Sequence, residues 1–120
     1  MNDAEIIVRF TSEGWHHYPD APMERAYLAY LHRHLFHVEA SIEVLHDDRE
    51  IEFHDFLDFC RAAFPTGRLG AQSCEMLARD LANKITLQWS DRRVIVSVFE
   101  DGEVGARVSV KASPPEGSGG

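Results

Sequence analysis

Polar and apolar positions alternate over residues 5–12 (EIIVRFTS), with Ile6, Val8 and Phe10 on one side and Arg9 and Thr11 on the other. A period of two belongs to a strand with one face buried. The alternation lapses through residues 13–31, which contain Gly14, Pro19 and Pro22, and this predicts a long loop with a short helix through MERAYLAYL. It returns over 32–45, where Phe36, Val38, Ala40, Ile42 and Val44 share a face and Glu39, Ser41 and Glu43 share the other. HDDRE (46–50) reads as a polar turn, and residues 51–53 extend only briefly. The period then changes. Phe53, Phe56 or Leu57, Cys60 and Phe64 recur every three or four residues, as on an amphipathic helix. Pro65 and Gly67 end it. Ser73 suits an N-cap, and Leu77, Ala78, Leu81 and Ile85 form the apolar stripe of a second helix. Residues 93–100 alternate, Asp101-Gly102 marks a tight hairpin turn, and 106–111 make the return strand.

The predicted order is therefore ββααββ. Two strand pairs flanking two helices give an α+β domain, a four-stranded antiparallel sheet with both helices on one face. One domain over 1–112 and a disordered tail over 113–120 account for the whole chain. A four-stranded sheet leaves two open edges, and pairing with another subunit is one way to cover them.

Composition narrows the class. At 120 residues and 44% apolar, the chain is long enough for one modest core and too apolar for a disordered protein. The formal net charge of −8 argues against a nucleic-acid surface, which needs clustered Lys and Arg. No apolar run approaches the ~20 residues of a membrane span. Two cysteines make no disulfide framework, and with no export signal they point to a reducing, cytoplasmic setting.

The seven histidines change the picture most. His32 and His34 lie two apart on a predicted strand, so their side chains share a face. If the first two strands pair antiparallel, His16 or His17 arrives beside them. Three imidazoles with one open position is the layout of a catalytic zinc centre. His37 falls on the opposite face, and His46 and His54 lie in or near a turn, where solvated or capping roles suffice.

These same residues resemble a family. LHRHLFHVEASIEV (31–44) is similar to the LHGHxYxVxV strand of the 6-pyruvoyl-tetrahydropterin synthase and 6-carboxytetrahydropterin synthase family. Phe10 followed by His16 and His17 resembles its first strand, IEFHDFLDF its VxDFxxLK segment, SCEMLA (73–78) its PT(S/A)ENLA helix start, and VIVSVFEDGEVGARV its closing hairpin. The matches run in chain order. The resemblance implies the tunnelling fold, homo-oligomers joined edge to edge, and ligand pockets between subunits. It implies zinc on His32, His34 and one of His16 or His17. It also implies that Glu100 binds the amino-pyrimidine edge of a pterin or purine across the pocket from the metal, with Ser73 at the ligand-facing helix start. The departures are equally specific. Leu28 stands where the family has its catalytic cysteine, the Asp-His pair after the first helix has no counterpart, and Arg33 replaces the central glycine of HGH.

Two function classes follow. One is a divergent, zinc-dependent lyase-like protein acting on a pterin- or purine-type ligand at a subunit interface. In that case Asp47, Asp48 or His46 would have to replace the missing proton carriers. The other is a non-catalytic protein that sequesters a purine nucleotide, a signalling nucleotide among the candidates. Arg9, Arg25, Arg33, Arg92 and Arg107 would then be available to its phosphates.

Overall fold

The computed structural model describes residues 3–111, so the tail expected over 113–120 lies outside the described residues. Strands β1 (Glu5–His16) and β2 (His32–Glu43) form a long antiparallel pair, joined by a connection that contains a 3-10 segment at Met23–Ala29. Helix α1 (Phe53–Ala63) follows, then a two-residue strand β3 (Gly67–Arg68), helix α2 (Cys74–Gln88), and the hairpin β4 (Val94–Glu100) and β5 (Val104–Val110). The sheet order is β3-β1-β2-β4-β5.

The fold is mixed α+β, with one open five-stranded sheet and three helical segments; it is not the four-stranded antiparallel sheet expected. The extra strand is β3, which pairs parallel to β1 through Gly14 and Trp15. Two residues are too few to show a period, and Gly67, whose φ is 77°, signals in the sequence only the end of a helix. Strand β1 also runs four residues past the predicted end at 12, to His16. Gly14 interrupts its alternation, because the buried face needs a residue without a side chain there. A Cβ at Gly14 would come within 2.7 Å of Leu69 Cδ1.

The even-numbered positions of β1, β2 and β4 share the face that the two helices cover. Phe36, Ala40, Ile42, Val94, Val96 and Val98 from the strands meet Phe56, Leu77, Leu81 and Ile85 from the helices, all fully buried. Each large side chain buried there contributes about 1.5–3 kcal/mol of transfer free energy. Both helices start on side-chain caps. Glu52 accepts from the Asp55 N–H at 2.9 Å, and Ser73 Oγ accepts from the Met76 N–H at 3.2 Å. The opposite sheet face is polar, with Arg9 bonded to Glu39 across β1 and β2 and Arg107 to Ser97 across β5 and β4. Among the described residues, no helix is long and apolar enough to cross a membrane.

Candidate metal centre

Register assembles the site. His16 lies directly opposite His32, Gly14 opposite His34, and Glu100 opposite Phe36 on the other side of β2. All belong to the even-numbered face, so four side chains gather at the end of the sheet where the core gives way to a cavity. The metal-binding atoms of His16, His32, His34 and Glu100 all lie within 4.8 Å of one another. The ring centroids of His16 stand 4.6 Å from those of His32 and 5.2 Å from those of His34.

The outer nitrogens decide what the inner ones can do. His16 Nδ1 lies 2.9 Å from the Gln72 carbonyl oxygen, His32 Nδ1 2.9 Å from the Tyr30 carbonyl oxygen, and His34 Nδ1 2.7 Å from Asp101 Oδ2. Carbonyls and carboxylates only accept, so each Nδ1 carries the proton and donates. A neutral ring then presents a bare lone pair at Nε2. Three such lone pairs converge, and this outer bonding is the arrangement that orients metal-ligating histidines.

Glu100 Oε2 approaches His16 Nε2 at 2.8 Å and His34 Nε2 at 3.5 Å. The approach lacks hydrogen-bond direction, so Nε2 of both rings is buried without a hydrogen-bond partner. Acceptors facing acceptors in a buried site repel unless a cation lies between them. The group of His16, His32, His34 and Glu100 could hold a metal ion. A tetrahedral zinc site with bonds of about 2.0–2.1 Å has ligand atoms roughly 3.3 Å apart, so modest side-chain rotation would close the set.

Histidine 17 is not in the cluster. Its backbone N–H donates to the Gly70 carbonyl, and its side chain lines the adjoining cavity. His17 lies just past the end of β1 at His16, so the strand register that sets His16 opposite His32 does not extend to it. Glu100 also departs from expectation. It stands beside the imidazoles of its own chain instead of across a pocket from them.

The cavity, about 730 Å³, is floored by His16, His32 and Glu100 and walled by Ser73, Glu75 and Tyr18, among others. Ser73 therefore reaches the cavity while its hydroxyl caps α2. Cys74 lines it too, with its thiol pushed up to about 12, chiefly by burial and further by Glu100 and Glu75. None of Arg9, Arg25, Arg33, Arg92 and Arg107 lines the cavity. Arg33 pairs with Glu13, and Arg92 is buried against Glu50.

Sequence reasoning missed the outer partners Gln72, Tyr30 and Asp101. Two act through backbone oxygens, which side-chain identity does not reveal. Asp101 was visible only as half of a turn signal; its contact with His34 depends on the β2–β4 register, which pattern alone leaves open. No protein-family model matches the chain, and no curated protein matches it significantly.

Proposed function

We propose that the chain is a metal-centred small-molecule-binding protein that holds zinc on His16, His32, His34 and Glu100, with a pterin- or purine-type ring in the adjoining cavity. The observation that carries the metal part is the commitment of all three Nδ1 atoms as donors, which leaves three Nε2 lone pairs converging on one carboxylate. Three nitrogens and one oxygen make a borderline donor set that suits zinc. Glu100 fills the fourth position that a catalytic centre keeps open, which favours binding over chemistry. The thiols add to this, since Cys60 and Cys74 are both buried with the thiol pushed up to about 12 and make poor nucleophiles. Buried free thiols also suit a reducing compartment such as the cytoplasm.

The cavity wall supports the ligand class. Asp20, Glu75 and Glu100 offer acceptors, and no arginine faces them. That chemistry suits a ring edge rich in N–H donors, such as an amino-pyrimidine, better than a phosphate. A sequestered nucleotide would need its phosphates met by a second subunit. Lyase chemistry would require ligand to displace Glu100 from the ion, which then acts as a Lewis acid.

Assembly belongs to the same proposal. Apart from the two residues covered by β3, the outer edge of β1 is unpaired among the described residues, as is the outer edge of β5. Edge-to-edge pairing of copies would satisfy both. The deciding experiment is elemental analysis of the purified protein, joined to mass spectrometry of the small molecules it releases on denaturation. About one zinc per chain with a heteroaromatic ligand is expected; a chain that neither carries nor takes up divalent metal would overturn the reading.

A further inference from the structure

We propose that Asp101 is a positioning residue of the metal centre: its carboxylate fixes the tautomer of His34 and so aims that ring's Nε2 lone pair into the cluster. The inference rests on the metal reading above and adds the side chain that selects the bonding state of one ligand.

The first observation is the pairing of two oxygens with two donors. Asp101 Oδ1 accepts the Leu35 N–H at 2.9 Å, and Oδ2 accepts from His34 Nδ1 at 2.7 Å. The Asp101 N–H in turn donates to the Leu35 carbonyl at 2.8 Å. The residue therefore grips β2 through backbone and side chain together, next to the ring it orients. Its φ of 54° and the 75° of Gly102 turn the chain sharply after Glu100, which swings the Asp101 side chain away from the strand and toward β2. Consecutive residues thus bracket one imidazole, Asp101 at Nδ1 and Glu100 at Nε2.

The second observation is a contrast. His16 and His32 are oriented by main-chain carbonyls, which no side-chain substitution removes. Among the three rings, only His34 is held by a side chain. Asparagine at position 101 cannot serve both donors. If its oxygen stays with the Leu35 N–H, its amide nitrogen faces His34 Nδ1 as a donor. An imidazole relieves that conflict at little cost by moving its proton to Nε2, which removes the lone pair the metal needs.

The test begins with the metal-free wild-type protein at about pH 8, where an ordinary imidazole is neutral. Long-range proton–nitrogen NMR should show His34 protonated on Nδ1, and the Asp101→Asn variant should show it protonated on Nε2. Zinc binding, measured by competition with a chromophoric chelator, should weaken by roughly 10–100-fold in Asp101→Asn. A wild-type His34 protonated on Nε2 overturns the inference without any variant having to fold, as does an Asp101→Asn affinity within about twofold of wild type. If wild-type protein binds no zinc, the metal reading itself falls and takes this inference with it. The tautomer measurement keeps the two failures apart.

Discussion

At the residue scale, the site depends on which nitrogen of each imidazole is spoken for. With Nδ1 of His32 held by the Tyr30 carbonyl, Nε2 is the one ring nitrogen it has to offer the cluster. His32→Ala should therefore lower zinc affinity by at least roughly 100-fold, beyond the loss typical of removing an outer partner, with equilibrium dialysis as the check. Glu100 is predicted to behave differently from what the family resemblance implies. As a residue that touched only an organic ligand, it could be removed without disturbing metal. With Oε2 2.8 Å from His16 Nε2, its replacement by Gln should weaken metal and ligand binding together. Metal affinity unchanged in Glu100→Gln would return Glu100 to the ligand-only role. The shared face of His32 and His34 was legible in the sequence because strand parity needs no tertiary information. The choice between His16 and His17 was not, because it turns on where β1 ends.

At the element scale, the strands that alternate without interruption were readable and the short ones were not. Val94–Glu100 and the core of β2 carry an unbroken apolar face, and Asp101-Gly102 falls at the turn that its dipeptide signals. Strand β3 and the last turn of β1 are set by contacts that no local pattern encodes, the approach of Leu69 to Gly14 above all. Two glycines test how closely elements approach. At Gly105 a Cβ would meet the Val98 carbonyl oxygen at 2.0 Å, and backbone cannot step aside. At Gly14 the nearest obstacle is the end of the Leu69 side chain, which can rotate, while the Gly67 carbonyl oxygen stands back at 3.3 Å. Gly105→Ala should cost about 3 kcal/mol or more and Gly14→Ala about 1 kcal/mol, read from urea unfolding, the top and bottom of the range for overpacking. Equal costs would mean that the β4–β5 hairpin yields more readily than its geometry indicates.

At the scale of the whole molecule, the two ends of the sheet are held by different chemistry. Opposite the histidines, Arg92 is buried against Glu50 at 2.8 Å and also donates to the Glu43 carbonyl. The Arg92 hydrogen bond, foremost, holds the Glu50 carboxyl below its usual 4.5. The stability this provides is complete above that value and is lost as pH falls through the lower folded value. Denaturation curves between about pH 6 and 3 should show a decline that Glu50→Gln blunts; parallel declines in the two proteins would refute it. The open edges of β1 and β5 predict self-association, so light scattering should report a multiple of 13.6 kDa at micromolar concentration. A monomer at that mass would show that the edges are tolerated bare.

The donors gathered at the sheet end come from β1, β2 and β4, between residue 16 and residue 100 of the chain. An ion shared by them would act as a reversible cross-link spanning most of the sequence, made in the native state and broken once the strands separate. Thermal tolerance would then be a property of the surrounding solution as much as of the polypeptide. If the ion is zinc, a free concentration a hundred times the dissociation constant would add about 2.7 kcal/mol, and a chelator would withdraw it. In a cell where zinc is rationed, the lifetime of the folded protein would follow the supply of the ion.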